Sequence, residues 1–385
     1  MSNLESRRRS LSRRQFCVAT LAAGVVVAQG RGEQPGSVTG EADRAKGVSW
    51  LREVQTPPMD LAEDSRKLAP LLVDADGRPI ETVAAWERRR RELLDAWRKF
   101  LGPAPAERTP LPTIEVLTED RESGVLRQLI RYEAEPGEAV EAYLLRPLEP
   151  LVPGEAKRPG LVVLHSTVNH SIRQPAGVEG VPEKAFGLRW AKRGFVAICP
   201  RNYLWPDNHK IAAQQEAERY LRRHPSSTGM MRMLHDALLA TDILVSQSDV
   251  DAARIGSIGH SLGAKEVLYH AAFDDRVRVA VSSEGGIGPT FSNWDAPWYL
   301  GPKIKQPEFR LDHHELLAAT APRAFLLLGG DSADGDISWP YIEATLPVYR
   351  LYGSPARVGL FNHKQGHAVP PVAEQRIDEW IAAYL

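Results

Sequence analysis

Beyond Pro150 the chain is built from short, uninterrupted apolar runs: GLVVLHS at 160–166, FVAICP at 195–200, RIGSIGHS at 254–261, VRVAVSSEGG at 277–286, AFLLLGGD at 324–331 and ARVGLFNH at 356–363. Stretches of helix-like sequence lie between and after them, at 183–193, 228–247, 264–272, 339–352 and 371–384. Continuous apolar strands interleaved with helices predict an α/β fold, a mostly parallel, doubly wound sheet with helices on both faces. Upstream, VLRQLIRYEAEP (125–136) and EAVEAYLLRP (138–147) read as two strands joined at Pro136-Gly137, a hairpin. Earlier still, WERRRRELLDAWRKFL places Trp86, Leu93, Leu94, Trp97, Phe100 and Leu101 on one stripe of a helix that Gly102-Pro103 stops. Its arginine run reads as a solvated face.

The first residues follow another pattern. Arg13 and Arg14 precede an apolar run from Phe16 to Ala28, in the form Ser-Arg-Arg-x-Phe. The run is too short to span a bilayer stably, and the pattern resembles a twin-arginine export signal over residues 1–29, which predicts a periplasmic or secreted protein. Residues 30–46 are rich in Gly and charge and read as a flexible linker, with order expected from about Val48. An N-terminal helical arm is expected over 47–120 and the main α/β domain over 121–385. Cys17 lies inside the signal, so Cys199 would be the one thiol of the mature chain, buried in a strand, with no intrachain disulfide.

Composition adds exclusions. The 385 residues carry 48 Lys and Arg against 49 Asp and Glu, a formal charge of −1, so no polyanion partner such as nucleic acid is implied. No phosphate-binding loop and no metal-ligand spacing occurs, and no cofactor is expected. His313-His314, in LDHHELL, reads as a helix start.

In parallel sheets, sites form at the carboxyl ends of the strands, and each strand end here offers polar residues: His165-Ser166-Thr167, Tyr203 with Trp205, Ser261, Glu284, Asp331 with Asp334, and His367. Ser261 lies in Gly259-His260-Ser261-Leu262-Gly263, a G-x-S-x-G step whose glycines allow a sharp strand-to-helix turn that leaves the hydroxyl exposed. A glycine-rich loop could read the same way. A serine hydroxyl needs a base to take its proton, and the base needs a third group to fix its tautomer. Ser261, then Glu284 or Asp331, then His367 has the chain order nucleophile, acid, histidine. His363 competes less well because it ends a strand, and His260 belongs to the turn itself. Asp331 could serve only as turn chemistry in GGDSADGD, so the acid stays open between the two carboxylates.

Two oxyanion donors are expected, one from Leu262 N–H and one from the loop around Ser166 or Thr167. Lys265, one turn after Ser261, could meet an acidic or hydroxylated substrate or hold its head in solvent. Trp205, Trp298 and Trp339, with Tyr203, Trp294 and Tyr299, could form a stacking wall for sugar rings or belong to the core.

From about Ser123 to Leu385 the chain resembles bacterial α/β-hydrolases of the acetyl xylan esterase and dienelactone hydrolase-like group. The segments that carry the resemblance are EAYLLRP, GLVVLHSTVNHSIRQPAG, RIGSIGHSLGAKEVLYHAAFDDRVRVAVSSEGGIG, FSNWDAPWYLG and NHKQGHAVPP. The resemblance implies that Ser261 and His367 are catalytic and that the substrate is a small-molecule or polysaccharide ester. The chain also looks like the glucuronoyl esterases, whose acid is a glutamate after the strand following the elbow and whose elbow helix holds a lysine that meets the uronate. Glu284 and Lys265 match those positions. An arginine directly follows the serine in that motif, and Leu262 stands there in this chain, a departure that argues against that activity. A prolyl-oligopeptidase-type peptidase would use the same triad but needs a larger gating domain, and a non-catalytic binding protein on this fold would usually lack a triad member.

Overall fold

The computed structural model describes residues 47–59, 61, 67–152, 154–353 and 355–385, so the expected export signal and the whole of the expected linker lie outside the described residues. Among the described residues nine strands form one sheet: β1 (Glu115–Glu122), β2 (Val125–Glu135), β3 (Glu138–Pro147), β4 (Arg158–Leu164), β5 (Val196–Pro200), β6 (Val250–His260), β7 (Val277–Ser283), β8 (Ala324–Gly329) and β9 (Val358–Asn362). The described residues also form eight α-helices: α1 (Val83–Leu101), α2 (Phe186–Ala191), α3 (Ala213–Arg223), α4 (Gly229–Val245), α5 (Leu262–Phe273), α6 (His313–Ala319), α7 (Trp339–Leu351) and α8 (Pro371–Tyr384). The strand order is β1-β2-β3-β5-β4-β6-β7-β8-β9. β1 to β3 form an antiparallel meander, β3 pairs antiparallel with β5, and the six strands from β5 to β9 in that order are mutually parallel.

The pleat explains why the apolar runs are continuous. In β4, Val162 and Leu164 enter the core on one face of the sheet, while Leu161 and Val163 enter a second core on the other. In β8, Phe325 and Leu327 take the first side and Leu326 and Leu328 the second. The first core holds α1, α4, α5 and α7; the second holds α2, α8 and the segment around Val48, Trp50 and Val54. Cys199 is a free, buried thiol of β5, which burial pushes up from the ordinary thiol range.

The helix predicted from Trp86 starts earlier, at Val83, because Thr82 accepts a hydrogen bond from the N–H of Ala85 as an N-cap. Trp86 and Trp97 on its stripe are fully buried. Strand β1 crosses the boundary expected at residue 121, since Glu115 already pairs with Arg131 of β2. Along the far edge, Gln55 donates to the carbonyls of Ala356 and Val358, occupying acceptors that edge strand β9 would otherwise leave open.

His313 and His314 do open a helix, α6, behind a capping box in which Asp312 and Glu315 satisfy each other's backbone N–H groups. Glu315 also accepts from Trp97 Nε1 at 2.9 Å, and burial raises its carboxyl from 4.5 to about 7. An acid whose folded pKa lies above its unfolded one contributes stability that is fully present below 4.5 and lost as pH rises through about 7. The variant Glu315→Gln keeps the capping geometry without this titration. Its melting temperature relative to wild type is therefore expected to rise between pH 4.5 and 7.5, which calorimetry at the two pH values checks.

Candidate active site

The turn between β6 and α5 is what places Ser261. Its φ of 59° and ψ of −117° are strained for a residue with a side chain, and its N–H donates to Ser283 O at 2.8 Å, which holds it between two strand ends. A Cβ on Gly259 would come within 2.3 Å of the Gly263 carbonyl carbon, and one on Gly263 within 2.1 Å of Leu164 O. Gly259 is therefore required by the tightness of the turn against the start of α5, and Gly263 by the packing of the turn on the end of β4. Leu262 is the first residue of α5, so its N–H belongs to the set that a helix leaves without intrahelical acceptors.

His367 sits on the loop between β9 and α8, and its Nδ1 lies 3.2 Å from Glu284 Oε2. The Glu284 side chain is fully buried, at 0 % exposure, and its backbone has a φ of 55° at the end of β7. The carboxylate also accepts the N–H of Gly330, and that of Ala333 at 2.7 Å. Acceptance of Nδ1–H by Glu284 leaves the lone pair on Nε2, the tautomer a general base requires. His260 flanks this pair: it is buried, its Nδ1 is 3.0 Å from Ser283 Oγ, and its ring centroid is 4.7 Å from that of His367. Burial holds the His260 imidazole well below the usual range, so the group beside His367 is neutral.

Of the two carboxylates left open by the sequence, only Glu284 meets His367. Asp331 is exposed at the surface and accepts from Asn362 Nδ2 at 2.6 Å. Its neighbour Asp334 is buried and receives the N–H groups of Gly286 and Ile287, at 2.7 and 2.8 Å, and the Ser338 hydroxyl. Asp334 thereby pins the loop that follows Glu284, a role that sequence spacing did not reveal. His363, the rival histidine, is buried with Nδ1 accepting the Gln365 N–H at 3.1 Å.

Lys265 does not reach solvent. It is 5 % exposed, donates to Ser292 Oγ at 2.7 Å, and stands 4.0 Å over the Trp294 ring and 5.1 Å from that of Tyr299. Burial lowers its ammonium from 10.5 to about 7. The stacking wall expected of the aromatics is reduced, because Trp205 (1 %), Trp339 (2 %), Trp294 and Tyr299 are core side chains, while Trp298 and Tyr203 remain half-buried. Trp205 is turned inward by its own hydrogen bond, Nε1 to Val168 O at 2.8 Å. After β4, Ser166 is buried and Thr167 exposed. Beside His367 a cleft of about 880 Å³ begins at Ala368 and is lined by Val178, Val181, Leu188, Val369 and Arg189. Lys184 links its wall to the site by donating to His367 O at 3.3 Å.

A serine on a strained turn, a neighbouring loop carrying an oriented histidine, and a buried carboxylate fixed by two backbone N–H groups offer the residue types that nucleophilic acyl transfer requires.

Comparison with known proteins agrees with this fold. Residues 140–308 match the dienelactone hydrolase family. YtaP of Bacillus subtilis (strain 168), which carries the name of a hydrolase, is 26 % identical over 197 residues, a match that spans 50 % of this chain and 62 % of that protein. A glucuronoyl esterase from Solibacter usitatus superposes with a TM-score of 0.63 at 17 % identity, covering 83 % of this chain and 97 % of that one. A promiscuous CE15 esterase from a marine bacterial metagenome gives 0.63 at 16 % identity, covering 86 % and 100 %. An acetyl xylan esterase from Paenibacillus sp. R4 gives 0.50 at 17 % identity, covering 88 % and 99 %. At these identities the structural likeness establishes the α/β-hydrolase fold.

Proposed function

We propose that this chain, an α/β-hydrolase with a dienelactone hydrolase family domain over residues 140–308, is a serine carboxylester hydrolase that acts through an acyl-enzyme. The observation that carries the reading is the 3.2 Å contact of His367 Nδ1 with the buried Glu284, on the loop next to the Ser261 turn. Ser261 Oγ attacks the ester carbonyl as His367 Nε2 takes its proton. The developing oxyanion is met by Leu262 N–H and by a second donor from the Ser166-Thr167 loop. His367 then protonates the departing alkoxide, and water, activated by the same imidazole, releases the acid and restores Ser261. Glu284 holds the ring and stabilises its cation throughout.

The substrates fit esters carried by plant or algal polysaccharide, with acetyl esters as the first reading. A second reading, the ester of a glucuronate, is favoured by Glu284 in the acid position, and opposed by Leu262 where an arginine would assist the oxyanion and by the burial of Lys265 against Ser292 and Trp294. Export follows from the pattern of residues 1–29; among the described residues no helix is long and apolar enough to cross a membrane. A peptidase would share the triad, and a binding protein would show no turnover.

Protein from residue 47 onward, given acetylated xylan and benzyl glucuronate with Ser261→Ala as control, separates these readings. Acetate release that depends on the serine supports the acetyl esterase. Cleavage of the glucuronate ester supports the second reading. Absence of turnover on every ester would overturn both.

A further inference from the structure

His165, directly after β4, is 2 % exposed and makes two contacts that together decide its protonation. Its Nε2 accepts the N–H of Asn202 at 3.1 Å, so Nε2 carries the lone pair and the proton lies on Nδ1. Nδ1 is 2.8 Å from Ser166 O, which makes His165 the donor to its neighbour's carbonyl. That carbonyl also accepts the Val168 N–H at 2.9 Å, and the Trp205 ring covers the imidazole edge-on with centroids 4.6 Å apart. Burial lowers this imidazole to about 4, so it is neutral wherever the enzyme would work.

The consequence appears on the other side of the peptide. In a trans peptide the C=O and N–H point in opposite directions. Drawing Ser166 C=O inward therefore turns Thr167 N–H outward, and Thr167 is exposed, with no acceptor on that N–H among the described residues.

The anchor continues into the elbow helix. Asn202 accepts from Leu204 N–H at 3.0 Å and donates from Nδ2 to Glu266 Oε1 at 3.0 Å. Glu266 lies five residues beyond Ser261 on α5 and is buried, which raises its carboxyl well above the usual range. With Gly263 packed on Leu164 O, the start of the loop and the first turn of α5 are held as one unit.

We infer that His165 is a positioning residue for ester hydrolysis: its ring fixes the Ser166–Thr167 peptide so that Thr167 N–H completes, with Leu262 N–H, the oxyanion hole above Ser261. The inference rests on the serine hydrolase reading and adds to it which backbone donor is used and what holds it.

The test compares wild type, His165→Ala, His165→Asn and Ser261→Ala on p-nitrophenyl acetate, with melting temperatures to establish folding, and records the imidazole ¹⁵N spectrum of the wild type. His165→Ala is expected to lower kcat by roughly 10²-fold or more with KM little changed, the signature of a donor that acts on the transition state. His165→Asn, whose amide NH₂ can take the place of Nδ1–H, is expected to recover about tenfold of that loss, which general destabilisation would not do. The wild-type spectrum should contain a ring that stays Nδ1-protonated from pH 5.5 to 8. A kcat for His165→Ala within about threefold of wild type, or an Nε2-protonated His165, overturns the inference and leaves the role of Ser261 standing. Turnover retained by Ser261→Ala removes the hydrolase reading and the inference together. Should the alanine variant fail to fold, the ring tautomer decides.

Discussion

Ser261→Ala is expected to reduce ester turnover by about 10⁶-fold while leaving the melting temperature close to that of wild type. The magnitude is that seen when the nucleophile of a serine enzyme is removed, with only transition-state binding left to act. The small structural effect follows from the backbone: the turn is held by Ser261 N–H on Ser283 O and by the packing of Gly259 and Gly263, neither of which uses the hydroxyl. Kinetics on p-nitrophenyl acetate, measured with calorimetry on the same preparations, check both parts. A variant that keeps a tenth of the activity would mean that another group attacks the ester.

Glu284→Gln is expected to lower kcat by about 10⁴-fold, whereas Asp331→Asn should stay within a few-fold of wild type. A glutamine can offer His367 its NH₂, which turns Nδ1 into the acceptor and leaves Nε2 protonated, unable to take the serine proton. The amide also has one acceptor oxygen where the carboxylate has two, so the N–H of Gly330 or Ala333 loses its partner. An orphaned buried donor costs about 1–3 kcal/mol, so a lower melting temperature should accompany the loss of activity. Asp331 is exposed and among the described residues its carboxylate accepts from Asn362 Nδ2, which an asparagine can do in the same way. Equal losses in both variants would contradict the assignment of the acid.

How much of this is legible in the sequence depends on how local each feature is. The six parallel strands are legible because each must be apolar on both faces, as the alternate sides of β4 and β8 require. β1 is not, because EVLTEDRE is exposed along most of its length and is a strand only through its ladder with β2. Helix α3 escapes notice for a similar reason: of AQQEAERYLRR only Ala217 and Tyr220 are buried, too few for a stripe. Ser261 and His367 can be named from short patterns and chain order. Choosing the acid requires knowing that Gly330 and Ala333, 46 and 49 residues downstream, aim their N–H groups at Glu284, a relation no spacing rule contains. Lys265 and Trp205 show the same limit, since composition places each near the site and only their partners, Ser292 and Val168 O, decide that they face inward.

The central claim, that Ser261 is the nucleophile of an acyl-transfer centre, is tested most directly by trapping it. Wild-type protein treated with a fluorophosphonate, which reacts with activated serines, should gain the mass of one adduct with parallel loss of ester turnover. Peptide mapping should place that adduct on Ser261, and Ser261→Ala should gain none. An unmodified wild type, or an adduct on any other residue, would contradict the account.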